Sequence, residues 1–429
     1  MAGETFPKRL IIAQRQIEQL RALLGEILPG NAFYAAKFDS AGVHKKVSNL
    51  ADFVERYPFT TKQELSENQR AAPPFGTALT YPLNRYTRCH HTSGTAGAPL
   101  RWLDTPESWN WMLGGWEQVL RVAGVTREDR IFFAFSFGPF IGFWMAFEAA
   151  LRLGCLCLPG GGLSSAARLR MILEQGVTVL CCTPTYAARL REVAEQEKID
   201  LSSSQVKLLL VAGEPGGSIP ATRERIEKDW PGARVFDHHG MTEVGPVSFQ
   251  CPEQPGVLHI MENSYIAEVI DPVTGKALEA GQRGELVLTT LGRLGSPLLR
   301  YRTGDLVKTA LDTVCTCGRS ELALEGGILG RADDMVIVRG VNVYPTAVEA
   351  IIHACDEVAE YRVELNTSGA LSEMNVQIEP APGCTDPAGI VRQLEEAFQV
   401  ALALRVPVRI VEPGTLPRFE LKARRWERV

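Results

Sequence analysis

The chain has 429 residues, 45% apolar and 22% charged, with a net charge of -5, and that length predicts two or three domains rather than one core. Mild acidity excludes a dedicated nucleic-acid binder, which presents a basic face, and no apolar run approaches the roughly 20 residues that cross a bilayer. Met1–Leu10 lacks a signal-peptide core and ten cysteines lie scattered along the chain, so the expectation is a cytoplasmic protein with no membrane partner, its thiols reduced or holding a metal.

Residues 8–28 place Ile17, Leu20, Leu24 and Ile27 at helical spacing among Arg, Gln and Glu, which predicts an amphipathic surface helix. In Pro58-Phe-Thr-Thr-Lys-Gln-Glu-Leu65, Thr60 or Thr61 is suited to cap a short helix, and no chemistry is evident there. Residues 90–102 then stand out. Thr92, Ser93 and Thr95 supply hydroxyls, and Gly94 and Gly97 let backbone N–H groups turn toward an anion, between strand-like Tyr86–Cys89 and apolar Leu100–Leu103. The Gly-Lys-Ser/Thr ending of a Walker loop is missing, with Ala98 where a lysine would stand, and Ser93 lacks the glycine two before it that a hydrolase nucleophile has. Such a cluster suits phosphate, although taken alone it is more often an ordinary solvated loop.

Between Ile131 and Phe147 lie eight aromatics, interrupted by Gly138-Pro139 and Gly142. A bent aromatic segment can wall an apolar pocket, and each ring also suits a core. A βα alternation follows: strands at 155–158, 177–183, 206–212 and 234–237, helices at 166–175, 186–197 and 220–230. That pattern predicts a largely parallel sheet, whose ligands bind at the turns after the strands. These turns read Thr183-Pro-Thr-Tyr186, Gly213-Glu-Pro-Gly216 and His238-His-Gly-Met-Thr-Glu243.

Beyond Phe249 short alternating strands, at 265–270, 284–290 and 298–301, predict a β-rich barrel or sandwich. A small α+β unit runs from Val341, with helices at 347–355 and 389–403 and strands at 362–365, 375–378 and 408–411. The boundary falls at Ala332–Asp334, dividing the chain into 1–332 and 333–429. Cys251, His259, Cys315 and Cys317 offer a Cys3His set suited to structural zinc, although the spacing is not that of a common zinc finger and thiols often serve as core.

Five stretches together carry a family resemblance: Thr92-Ser-Gly-Thr-Ala-Gly-Ala-Pro99, His239-Gly-Met-Thr-Glu243, Tyr301-Arg-Thr-Gly-Asp305, Gly330-Arg-Ala-Asp-Asp-Met-Val-Ile-Val-Arg-Gly340 and Leu416-Pro-Arg-Phe-Glu-Leu-Lys422. The sequence resembles the adenylate-forming enzymes (acyl-CoA synthetases, adenylation domains and luciferases), within them the phenylacetate-CoA ligase branch. Pro58–Lys62, Cys181–Tyr186 and Gly340–Pro345 echo that branch. The resemblance implies a large N-terminal α/β domain with a β-rich subdomain, and a small mobile α+β C-terminal domain. The implied reaction activates an aryl acid of the phenylacetate or benzoate type with ATP and magnesium, then transfers it to coenzyme A.

Both reactants of the first step are anions, so charge neutralisation and alignment carry the catalysis. By resemblance, Thr92–Gly97 hold the β- and γ-phosphates, Thr242 lies near the α-phosphate and Glu243 ligates magnesium, which needs few carboxylates. Asp305 would accept from the ribose hydroxyls, with Arg331 nearby, and Gly213, Glu214, Pro215 and His239 would border adenine. Asp237, His238, Gly240 and Met241 complete that nucleotide site. His239 stands where the family has tyrosine; imidazole stacks with less area, which implies weaker or pH-sensitive nucleotide binding. Lys422 matches the catalytic lysine, although Leu421 replaces the usual glycine and Phe419 a small residue. Asp333 matches the hinge about which Lys422 swings out and Arg339-Gly340 swing toward the thiol channel. Phe137, Phe140, Trp144, Tyr186, Gly245 and Pro246 are the residues offered for the aryl ring. Transfer to a carrier protein or an amine, a non-catalytic nucleotide-binding homologue, and a homodimer all stay open.

Overall fold

Five parallel strands form the centre of the chain, in the order Leu156–Pro159, Arg130–Phe133, Val179–Cys182, Leu208–Val211, Arg234–Asp237. This is a computed structural model, and it describes residues 6–43, 46–92, 99–339, 341–367, 372–419 and 423–429, with Asn342 through its backbone alone. Side chains alternate across the sheet, as strand geometry requires. Phe133, Cys181, Leu210 and Phe236 enter one core with Met112 and Trp116, while Phe132, Leu180, Leu209 and Val235 enter a second with Leu169, Leu190 and Ile226. The βα alternation read from the sequence is therefore present, and Arg234–Asp237 begins and ends where expected. Strand order reverses at Arg130–Phe133, so crossovers leave in opposite directions there, which is where sheets of this kind hold ligands.

Pro106–Val122 is a buried helix that was not anticipated, although its start is well signalled: the Ser108 N–H donates to the Thr105 hydroxyl, and Pro106 occupies the first helical position. Ala32–Ala41 and Leu50–Arg56 are likewise helical. Helix Arg9–Ile27 meets its expectation and packs in a smaller core against Leu291 and Leu299.

The β-rich region consists of two antiparallel sheets. One orders Tyr265–Ile270, Arg283–Thr290, Tyr301–Lys308 and Gly330–Arg331; the other joins Ser248–Gln250, Val257–Ile260 and Ala323–Glu325. The strand expected at 298–301 begins only at Tyr301, because Arg300 has φ +46° and breaks the extended run. A further core, with fully buried members from Val338 to Val408, gathers helices Pro345–His353 and Pro387–Leu402 over a four-stranded sheet. Its edge strand Trp426–Arg428 runs parallel to Val358–Asn366. No helix among the described residues is long and apolar enough to cross a membrane.

Candidate active site

The chain leaves the last parallel strand at Asp237 and makes a tight hairpin. Gly240 pairs with Pro246 and Met241 with Gly245, so Thr242, Glu243 and Val244 form its tip. Gly245 has φ +89°, and a Cβ there would stand 2.9 Å from Met112 Sδ, so glycine is required for both the turn and its packing on Pro106–Val122. Glu243 is 7% exposed. The Lys62 Nζ lies 3.3 Å from its carboxylate, on a side chain that is half-exposed.

Arg293 holds this tip from behind. Its Nη1 donates to the carbonyls of Thr242 and Glu243 at 2.8 and 2.7 Å, while Nε and Nη2 donate to Asp104 at 2.7 Å each. Asp104 ends the strand Arg101–Asp104 that pairs with Arg88–His91, so one buried guanidinium ties the hairpin enclosing the Ser/Thr/Gly loop to the Thr242-Glu243 tip. At the neck of that loop the Leu100 N–H donates to the Thr92 hydroxyl at 3.1 Å. Ser93, Gly94, Thr95 and Gly97 lie outside the described residues, as do Gly340 and Lys422. Sequence reasoning missed Arg293 and Lys62, since both act through distant partners; the one signal for Lys62 was its place in the Pro58–Lys62 echo.

Asp305 points from Tyr301–Lys308 into the same region. Its carboxylate accepts from His239 Nε2 at 3.0 Å and Arg331 Nη1 at 3.1 Å. Burial would raise its pKa, but His239 and Arg331 together hold it below the usual carboxylate range. Arg331 also donates from Nε to Asp333 at 3.0 Å, which joins the residue expected to be the hinge to the carboxylate expected at the ribose. His239 Nδ1 is buried without a partner among the described residues.

The other expected nucleotide residues divide. Glu214 accepts the N–H groups of Thr185, at 2.8 Å, and Ala423, at 3.3 Å, bridging two strand-end turns and the C-terminal segment. Gly213, before Pro215, has φ +97° and makes the sharp turn after its strand. Asp237 and His238 are enclosed scaffolding: Ser218 donates to Asp237, and His238 Nδ1 donates to the Ser248 carbonyl at 2.6 Å while its ring packs on Trp116. Burial depresses the His238 pKa to about 3, so this imidazole stays neutral.

Of the aromatic wall, Phe137 meets Trp144 edge-to-face at 4.7 Å, and Phe140 lies between Gly138 and Gly142, where any Cβ would come within 3 Å of its ring. The Trp144 indole donates to the Gly138 carbonyl at 3.1 Å and fixes the bend. Tyr186 is not brought to this wall. It is 1% exposed in the core across the sheet, with its hydroxyl 2.8 Å from Ser165, because Thr183 caps the helix Pro184–Gln196 and turns that position inward.

Away from these groups, one ligand atom from each of Cys251, His259, Cys315 and Cys317 lies within 4.8 Å of the others. Cys251 and Cys315 sulfurs are 3.6 Å apart and Cys317 Sγ is 3.4 Å from His259 Nε2. A tetrahedron with Zn–S of about 2.3 Å has S···S edges of about 3.8 Å. The turn holding Cys315 and Cys317 is thereby set against the strand Val257–Ile260.

Arg339 has φ +49° and donates to Glu373 at 2.9 Å, exposed on the C-terminal sheet. That unit meets the parallel-sheet helices through Thr222 with His353 at 2.9 Å, Lys228 with Asp356 at 2.6 Å and Arg418 with Glu192 at 3.3 Å.

Residues 44–292 match the family described as AMP-binding enzyme, and residues 340–427 match the AMP-binding enzyme C-terminal domain. The chain belongs to the AMP-binding enzymes. Similar members include phenylacetate-coenzyme A ligase of Pseudomonas putida, 30% identical over 96% of this chain and 93% of the relative, and that of Thermus thermophilus, 33% identical over 88% and 83%. Among solved AMP-binding folds, 2-hydroxyisobutyryl-CoA ligase in the postadenylation state with 2-HIB-AMP superposes with a TM-score of 0.93 at 27% identity, covering 99% of this chain and 91% of that one. The same ligase with 2-HIB-AMP and CoA in the thioesterification state gives 0.74 at 29% identity and the same coverage. The present arrangement is thus nearer the former of the two.

Proposed function

We propose that this chain is an AMP-forming aryl-acid:CoA ligase. A carboxylate oxygen of the acid attacks the α-phosphorus of ATP, the bond to the β-phosphate oxygen breaks, and pyrophosphate leaves. The thiol of coenzyme A then loses its proton and attacks the acyl-adenylate carbonyl, and AMP departs. The observation that carries this reading is that Glu243, on a hairpin tip fixed by Arg293, and His239, which pairs with Asp305, both follow the end of the last parallel strand. The nearly full-length phenylacetate-coenzyme A ligase relatives support the acid class.

Asp305 accepts from the ribose hydroxyls, two acceptor oxygens suiting a diol. Gly213–Pro215 and His239 border adenine, Thr242 faces the α-phosphate, and the loop from Thr92 to Gly97 cradles the leaving pyrophosphate through backbone and hydroxyl donors. Phe137, Phe140 and Trp144, with Gly245 and Pro246, surround the acid. Lys422 bridges the carboxylate and the α-phosphate during adenylation. Residues 333–429 then turn about Asp333 and bring Arg339-Gly340 to the thiol. The hydrogen bond from the Ala423 N–H to Glu214 supports this reading.

Glu243 fits magnesium, because it is an enclosed carboxylate whose cationic neighbour, Lys62, is half-exposed and displaceable. The metal would neutralise phosphate charge there. Cys251, His259, Cys315 and Cys317 fit a closed structural zinc. ATP and coenzyme A as co-substrates match a cytoplasmic location. Pyrophosphate release across a panel of aryl acids, with and without coenzyme A, tests the reading: release without coenzyme A-dependent thioester formation would exclude CoA as acceptor.

A further inference from the structure

Binding a nucleoside triphosphate beside a buried carboxylate requires cations, and the described cations near Glu243 are unequally available. Arg293 is fully enclosed and engages Asp104 and two carbonyls. Arg331 is committed to Asp305 and Asp333. The six residues from Ser93 to Ala98 include no lysine or arginine. Lys62 differs, since its ammonium lies 3.3 Å from Glu243 while its side chain is 48% exposed.

The backbone around Lys62 is built to keep it there. The Thr60 N–H donates to the Arg300 carbonyl and the Arg302 N–H to the Thr60 carbonyl, both at 2.9 Å, so this segment is bridged to the beginning of the strand that carries Asp305. The Thr60 hydroxyl donates to the Leu299 carbonyl at 2.7 Å and the residue is wholly buried. Thr61 and Glu64 close a capping box, which makes Lys62 the first residue of the helix Lys62–Ala71. An anchored backbone with a long, half-exposed side chain is the arrangement of a residue that changes partners.

We propose that Lys62 is a phosphate-binding residue of the adenylation site, a role that rests on the ligase reading. Without nucleotide its ammonium balances Glu243; Glu243 would hold magnesium, and the ammonium of Lys62 then turns to the β- and γ-phosphate oxygens. Lys62 thereby supplies the point charge that the Ser93–Ala98 sequence lacks, and it neutralises the departing pyrophosphate. Ammonium suits this exchange better than guanidinium, being compact and free to rotate among acceptors.

The experiment is calorimetric titration of the full chain with ATP and magnesium, without any acid, so that it is independent of which acid is activated. Lys62→Met should weaken binding about tenfold or more, the range of a lost charge-assisted contact, and Lys62→Arg much less. The double substitution Lys62→Met with Ala98→Lys should recover most of the affinity by returning a lysine to the stretch that lacks one. Thermal melts confirm that each variant is folded. Affinity within twofold of wild type in Lys62→Met overturns the proposal, as does a loss that Lys62→Arg fails to prevent and Ala98→Lys fails to repair. Should wild type bind nucleotide with this dependence yet release no pyrophosphate with any acid, the ligase reading fails while the role of Lys62 stands.

Discussion

Arg293 and Asp104 face each other through two hydrogen bonds of 2.7 Å, with both side chains completely enclosed. The pair joins the strand Arg101–Asp104 to the Thr242-Glu243 tip, so one guanidinium holds two distant segments together. Its hydrogen bonds to the two tip carbonyls use the edge that Asp104 leaves free. A lysine has no such fork.

Asp104→Asn should therefore strand a buried cation and destabilise the protein by about 3–5 kcal/mol, the range for breaking a buried pair. Urea unfolding measures this. Pyrophosphate release should fall as well; stability within about 1 kcal/mol of wild type would mean that the pair does not hold the tip.

Asp305→Asn removes one charged acceptor and leaves His239 and Arg331 facing an amide. The KM for ATP should rise about tenfold or more. If the lost contact is to the ribose, wild type should discriminate against deoxy-ATP and the variant should not. Equal discrimination in both proteins would assign Asp305 to structure only.

Chain purified without chelator should contain one zinc per molecule, bound by Cys251, His259, Cys315 and Cys317. Replacing Cys315 and Cys317 with serine should remove the metal and lower Tm by several degrees, by freeing the turn from the sheet. Metal analysis that finds no zinc ends this assignment.

Glu349 gives a pH signature. Burial pushes its pKa from 4.5 up to about 7, against the opposing pull of Arg425, with Glu214 and Glu360 adding to the rise. His353 also faces it, at 3.8 Å. A carboxyl held neutral in the folded state favours folding fully below its unfolded pKa, and this contribution is lost as pH climbs through about 7. Glu349→Gln mimics the neutral form. It should match wild type near pH 4 and be the more stable at pH 8 by up to about 3 kcal/mol. A stability difference that does not change with pH would show that folding leaves the Glu349 pKa at its ordinary value.

The parallel sheet was legible because its strands are short apolar runs between turn residues, and Arg234–Asp237 with its following turn came directly from that pattern. Helix Pro106–Val122 carried a legible start at Thr105-Pro106 that periodicity alone did not weigh. Tyr186 shows a different limit: a residue after a strand end can point to either side of the sheet, and a helix cap at Thr183 decided it. Arg293 and Lys62 were illegible for a third reason. Each meets its partners about 50 to nearly 190 positions away in sequence or across a gap as wide as that from residue 62 to 243, and only the folded sheets bring them together.

Lys422 is the residue on which the adenylation reading turns, and one assay reaches it: pyrophosphate release from ATP, magnesium and a panel of aryl acids, wild type against Lys422→Ala. Acid-dependent release in wild type that falls about 100-fold or more in the variant is the predicted result. Release that no acid stimulates, or a variant within tenfold of wild type, would contradict it.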